Sequence, residues 1–429
     1  MLFTTLTRTL FSKYVQSRIP IENNVDTAMA LTTQVLKCDP LSITFSRDEP
    51  IYSDPGTENA IKTAVQHLTE RQVVAFPTET VYGLGALALN ASAAAKIFST
   101  KGRPSDNPLI VHISSSSMLS SLLPPSYTPS PAYETLMRTF WPGPLTLLFP
   151  ADPSRVPPII TAGHPTVAVR MPAHPVARAL IAATGAPLAA PSANASGKPS
   201  PTRAAHVQRD LGCTGRLPLL LDGGTCTVGL ESTIVDGLGA DGALRVLRPG
   251  GATVEALVEA LGDLMAVDVR NGDGHGHGDG IARPPRVLVH RRDFVLKSHE
   301  ENAPTTPGMK YRHYAPQVPV TLLYTATAPL ADDGGEVRAV ALDVFFREVE
   351  SGASGRVGLM AQDESPLLVR ARSDQARWLT FSLGESAEPA RAAQRLFEGL
   401  LSLEEQGVER IFVQEVAEER EGLAFMNRI

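Results

Sequence analysis

Between Lys101 and His112 the chain cannot be helical, because Gly102, Pro104 and Pro108 interrupt it within twelve residues. The same stretch concentrates chemistry: Lys101, Arg103, Ser105, Asn107 and His112 supply two fixed cations, a hydroxyl, an amide and an imidazole. The residues before it, Asn90 to Thr100, have Ala94, Ile97 and Phe98 at helical spacing, and Leu109 to Ile113 is an apolar strand interrupted by His112. Lys101 and Arg103 therefore project from the loop that closes a helix. A planar guanidinium fork beside a mobile ammonium suits a phosphate clamp. Cations are equally at home at a helix C-terminus, so on spacing alone a plain basic turn fits as well.

Further motifs surround this loop. Upstream, the strand Val73 to Phe76 runs into Pro77-Thr78-Glu79-Thr80-Val81-Tyr82-Gly83-Leu84-Gly85. Downstream come Pro191 to Ser200, then Glu231-Ser232-Thr233-Ile234-Val235-Asp236, then Leu247-Arg248-Pro249-Gly250. In this order the motifs resemble the YrdC-like family, and specifically its two-domain threonylcarbamoyl-AMP synthases, over about residues 58 to 265. The likeness resumes at Pro307 to Pro316, a linker motif of the two-domain members. The chain ends at Met426-Asn427-Arg428-Ile429, near the usual terminus of that family, so little is expected to be missing.

The resemblance implies a nucleotidyltransferase that joins L-threonine, bicarbonate and ATP into threonylcarbamoyl-AMP and pyrophosphate. Lys101 and Arg103 are the implied catalytic pair. They face the ATP phosphates with Ser105 and Asn107, while Thr166, Ser192, Ser200, Arg248 and Tyr314 complete the nucleotide site. Thr80, His112, Arg170, Ser232 and the backbone of Ala190 match the threonine-contacting positions, with Arg170 forking onto the carboxylate. Mg²⁺ is expected with ATP, held by phosphates and waters. The product passes to a separate transferase complex that modifies tRNA beside the anticodon; direct tRNA binding by this chain is expected to be weak. Singly, each residue has an ordinary structural role open to it: Thr80 a cap, Ser192 and Asn194 a turn, His112 a core histidine.

At 429 residues, 43% hydrophobic and 20% charged, the chain has material for two soluble domains with sizeable cores. Its net charge of −6 lacks the basic footprint of wholesale nucleic-acid binding. Cys38, Cys213 and Cys226 fit neither a zinc site nor a disulfide framework, which points to a reducing compartment. No apolar run is long enough to span a bilayer. The first 21 residues hold Arg8, Lys13 and Arg18 and no acid before Glu22. With Leu2, Leu6, Leu10 and Phe11 on one helix face, they follow the pattern of a mitochondrial transit peptide and equally that of a basic tail. Met29 offers an internal start, so a cytoplasmic form with a second, mitochondrial one is expected.

The predicted fold is α/β (α+β): a twisted mixed sheet with helices, followed by a smaller Rossmann-like α/β domain. The expected divisions are an extension at 1–56, polar and turn-rich from 22; a catalytic domain at 57–265; a linker at 266–318; and an accessory domain at 319–429. Helices are expected over Thr57 to Glu70, Ala132 to Phe140, Pro175 to Thr184, Arg203 to Leu211, Thr253 to Leu261 and Pro389 to Glu405. Expected strands include Leu145 to Phe149, Val167 to Met171, Leu217 to Leu221, Val320 to Tyr324, Val337 to Val344, Val357 to Ala361 and Ile411 to Val416. Ser114 to Pro131, with eight serines and four prolines, is a surface insertion in this reading. The glycine-rich run 271–280 is a flexible insertion with adventitious metal affinity at most. Lys310, Tyr311, Arg312, His313 and Tyr314 are more side-chain chemistry than a tether needs, and suggest a lid over an anionic ligand. Two rivals stand beside this reading. One is a YrdC-like carbamoyltransferase module, for which the upstream paired cysteines are missing, and the other is a non-catalytic RNA- or tRNA-binding module.

Overall fold

The computed structural model describes residues 2–6, 32–268, 286–289, 314–325 and 337–429. The glycine-rich run 271–280 and the linker motif as far as His313 lie outside them. The chain forms two compact units, one built on Thr33–Ser196 and Ser200–Arg312, the other on Met1–Thr32, Gly197–Pro199 and His313–Ile429.

The larger unit is organised on an eleven-stranded mixed sheet. Its spatial order is Val287–Val289, Leu244–Arg248, Thr233–Asp236, Leu145–Pro150, Thr166–Arg170, Ile110–His112, Leu188–Ala189, Gly83–Leu87, Val74–Phe76, Leu219–Asp222 and Gln34–Lys37. Alternate residues of the central strands feed opposite cores, as a period of two requires. Val74, Phe76, Leu219 and Leu221 pack with Ile61, Leu68, Val176 and Leu180, on the helices Pro55–Thr69 and Pro175–Thr184. Ala75 and Leu220 belong instead to the core that holds Ile97, Tyr133, Leu136 and Phe149.

The helix Ala91–Lys101 sets up the site. Asn90 caps its first turn by accepting from Ala93 N–H at 3.0 Å, and Gly102 ends it in the left-handed region at φ +64°. Lys101 is thus its last residue, and Arg103 opens the loop that leads into Ile110–His112.

Two expectations about this unit need correction. Residues 32–56 are not a bare extension before the domain: Gln34–Lys37 adds an edge strand parallel to Leu219–Asp222, and Ile43–Ser46 pairs antiparallel with Glu49–Tyr52. Ser114 to Pro131 is not a surface insertion either. Ser116–Ser120 is helical, Leu119, Leu122 and Leu123 are buried, and the Tyr127 ring stands edge-on to Phe149 at 6.2 Å.

The smaller unit carries a four-stranded sheet, all parallel, ordered Val320–Leu323, Ile411–Gln414, Val357–Ala361, Trp378–Ser382. The last strand was not expected, and the strand from Val337 stops at Ala341, where the helix Leu342–Gly352 begins. Leu2–Leu6 is a strand antiparallel to Val337–Ala341, not part of a helical face; Phe3, Thr4 and Thr5 favour extended backbone. Cys38 and Cys226 are buried, Cys213 is exposed, and all three are free thiols.

Candidate active site

Lys101 does not point outward. Its side chain is buried, and its ammonium donates to the carbonyls of Ser192 and Asn194, the latter at 2.5 Å, and to Asn194 Oδ1 at 3.4 Å. Burial lowers its pKa well below the usual lysine range, helped by the nearby Arg103 charge and opposed by Asp210. The same turn is stitched down elsewhere: Ser196 N–H donates to the Lys101 carbonyl at 3.0 Å, and Ala193 N–H to the Tyr82 carbonyl at 2.8 Å. Ser192 Oγ donates to Asn194 Oδ1 at 2.5 Å. Arg103, partly exposed, folds over its own loop, with Nη2 donating to Pro108 O at 3.1 Å and Nε to Asn107 O at 3.4 Å. Ser105 is exposed, whereas Asn107 is buried with its Oδ1 lacking a hydrogen-bond partner.

A second cluster forms where Pro77–Gly83 meets the end of Thr166–Arg170. Arg170 Nη2 donates to Glu79 Oε1 at 2.5 Å, Nη1 to Thr80 Oγ1 at 2.7 Å and Nε to Gly143 O at 3.1 Å. The other Glu79 oxygen accepts from Ala173 N–H at 3.0 Å. Thr80 Oγ1 lies 2.8 Å from Thr78 Oγ1, which donates to Val81 O at 2.6 Å. In the sheet register His112 stands beside Arg170. Its Nδ1 lies 3.2 Å from the Ile110 carbonyl, an acceptor, so this nitrogen carries the proton and Nε2 keeps its lone pair. Burial, then the Arg170 charge, pushes the His112 pKa down to about 3, so the imidazole is neutral.

Across the sheet, Ser232 Oγ lies 2.7 Å from Thr146 Oγ1, and Arg248 Nη2 donates to the Ser232 carbonyl at 2.9 Å. Ser200 Oγ donates to Glu231 Oε1 at 2.5 Å, with both residues buried. Gly250 makes this close approach feasible: a Cβ there would stand 2.3 Å from Glu231 O and 2.5 Å from Thr233 N.

The family described as "Telomere recombination" matches residues 66–250, and that described as "Threonylcarbamoyl-AMP synthase, C-terminal domain" matches residues 255–429. A threonylcarbamoyl-AMP synthase of Bacillus subtilis is 41% identical over 382 residues, covering 89% of this chain and 94% of that protein. The chain belongs to the threonylcarbamoyl-AMP synthase family. A Schizosaccharomyces pombe member is 38% identical over 398 residues, 87% of this chain and 88% of its own length. A crystal structure of P. abyssi Sua5 complexed with L-threonine superposes with a TM-score of 0.68 at 34% identity, covering 92% of this chain and 96% of that one.

Within this synthase-family chain the fold gathers several of the residues singled out by sequence into three polar clusters. Thr80, His112 and Arg170 form one cluster, Ser232 and Arg248 a second, and Lys101, Ser192 and Asn194 a third. Ala190 is buried beside them, its N–H donating to Ile110 O at 3.0 Å. Thr166 starts the strand that Arg170 ends, about 13 Å away at the usual strand rise. Tyr314 belongs to the smaller unit, where its ring centroid lies 5.2 Å from that of Phe397 and the Arg428 guanidinium sits 5.6 Å away. Glu79, Glu231 and Thr78 join these clusters without being singled out by the motifs. The available signal was the setting of both acids, each between small hydroxyl or apolar residues in a run with no other charge.

Proposed function

We propose that this chain condenses L-threonine, bicarbonate and ATP to threonylcarbamoyl-AMP, releasing pyrophosphate. The observation that carries this reading is likeness to named synthases over 87–89% of the chain, together with two polar clusters of opposite design. One, around Arg170, has unspent guanidinium N–H groups beside the neutral His112 and suits an amino acid. The other, the Arg103 to Asn107 loop over the Lys101 turn, suits a polyphosphate.

The threonine amine, once deprotonated, takes up the carbon of bicarbonate as a carbamate, with loss of water. A carbamate oxygen then attacks the α-phosphorus as pyrophosphate departs. Such a reaction needs positioning and charge neutralisation more than a nucleophilic side chain. Arg170 would hold the threonine carboxylate, with Thr80, Ser232 and the Ala190 backbone around the amino acid. His112 Nε2 would accept from its amine or hydroxyl. Arg103, Ser105, Asn107, Thr166, Ser192, Ser200 and Arg248 would face the nucleotide. Mg²⁺ would arrive with ATP, carried by phosphates and waters; among the described residues no three His, Cys, Asp or Glu side chains group around one metal position. The product would serve a separate transferase acting on tRNA, in the cytoplasm and, through the basic N-terminal segment, in mitochondria. Among the described residues no helix is long and apolar enough to cross a membrane.

The test is pyrophosphate release from ATP, with each component omitted in turn. Release should require threonine and bicarbonate together. Equal release without threonine would overturn the proposal, and a tRNA shift without ATP would favour the RNA-binding alternative.

A further inference from the structure

The cluster around Arg170 holds a cation and an anion of equal charge. The Arg170 and Glu79 side chains are only 4% and 8% exposed, and Glu79 is fixed at both oxygens, by Arg170 Nη2 and by Ala173 N–H. Among the described residues, His112, His174 and Cys226 also face the pair, each held toward its uncharged form. Burial lowers the pKa of His112 and of His174, and raises that of the Cys226 thiol, which the Glu79 charge raises further. Arg170 has spent one N–H each on Glu79, Thr80 and Gly143 O and keeps two for a ligand.

A lone buried guanidinium would be a general anion trap. Its attraction grows with ligand charge, so a phosphate dianion would gain more than a carboxylate. Pairing replaces that long-range pull with a dipolar field and leaves short-range, planar hydrogen bonding as the selective force. Building on the assignment of Thr80, His112 and Arg170 to the amino-acid subsite, we propose that Glu79 is a specificity-determining residue. It cancels the Arg170 charge and so fits the subsite to a net-neutral zwitterion while denying it to phosphate.

The experiment is steady-state pyrophosphate release by the full chain at saturating ATP and bicarbonate. In the unaltered protein, inorganic phosphate does not compete with L-threonine, and the threonine KM changes less than about twofold between low and high chloride. In Glu79→Gln, phosphate becomes competitive with threonine, and its KM rises about fivefold or more over the same chloride range. A purely structural role would lower the active fraction and leave the KM and its salt dependence alone. A Glu79→Gln enzyme with a chloride-insensitive KM and no phosphate competition overturns the inference. So does phosphate competing with threonine in the unaltered protein, an arm that needs no variant to fold. Arg170→Gln separates the two levels: an unchanged threonine KM removes the subsite assignment itself, whereas a raised KM beside a salt-insensitive Glu79→Gln removes only the charge role.

Discussion

The Lys101 ammonium donates to the Asn194 carbonyl at 2.5 Å, across 93 residues of sequence. Its remaining N–H groups go to the Ser192 carbonyl and Asn194 Oδ1, so every donor is spent on one turn. In this geometry Lys101 is a strut beneath Ser192, and Arg103 is the cation nearer the surface of the loop.

That division predicts different phenotypes. Lys101→Met leaves two backbone carbonyls without their buried donor and should cost about 2–4 kcal/mol of stability. Thermal unfolding should fall by several degrees, with activity lost alongside. An unchanged melting temperature would show that the ammonium is not holding the turn.

Arg103→Ala should behave in the opposite way. The side chain is partly exposed and donates to carbonyls of its own loop, so stability should change by no more than about 1 kcal/mol. Loss of a charge-assisted contact to developing phosphate charge should lower kcat/KM for ATP by roughly 10²-fold or more. A folded variant with normal kinetics would leave Arg103 as an ordinary loop residue.

Stability should fall with acid from an unusually high pH. The folded-state pKa of His112 is depressed to about 3 and that of His206 to about 4, each by burial first, against about 6.5 in the unfolded chain. Between those values the unfolded state binds protons that the folded state refuses. Their contribution is therefore complete above pH 6.5 and drains away as pH falls through 6.5 toward 3. For His112 the slope is about 1.4 kcal/mol per pH unit. Urea midpoints measured from pH 7.5 to 4 should start to drop below pH 6.5, and His112→Gln should flatten the curve by one proton. A flat profile down to the carboxylate range would contradict this.

Gly250→Ala tests the packing under Ser232. A methyl group would stand 2.3 Å from Glu231 O and 2.4 Å from the Ser232 carbonyl carbon, both backbone atoms with little room to yield. The substitution should force the Glu231–Thr233 backbone away from Arg248. Soluble yield or activity should drop sharply, and normal levels of both would refute the contact.

What the sequence reveals here divides along local and non-local lines. The helices Pro175–Thr184 and Pro389–Glu405 and the strand Val357–Ala361 run between the predicted residues because period, proline and glycine are local signals. Gln34–Lys37 is an edge strand with mostly exposed side chains, recognisable only through its pairing with Leu219–Asp222. Likewise Ser114 to Pro131 has the composition of a loop, yet three leucines anchor it in the core. Motif order singles out Thr80 with Arg170 and Ser232 with Arg248, which the fold brings into contact, but it does not give the direction of their side chains. Whether Lys101 meets a ligand or the Ser192–Asn194 carbonyls, and whether Arg170 is alone or paired with Glu79, depends on segments about ninety residues apart in sequence.

The proposed product is covalent, and isotope tracing reads it directly. The purified chain is incubated with ATP, L-threonine and ¹³C-bicarbonate, then quenched and examined by mass spectrometry. The label should appear in one adduct containing both threonine and AMP, formed in step with pyrophosphate and absent when threonine is omitted. AMP and pyrophosphate accumulating with no labelled, threonine-dependent adduct would rule out the proposed condensation.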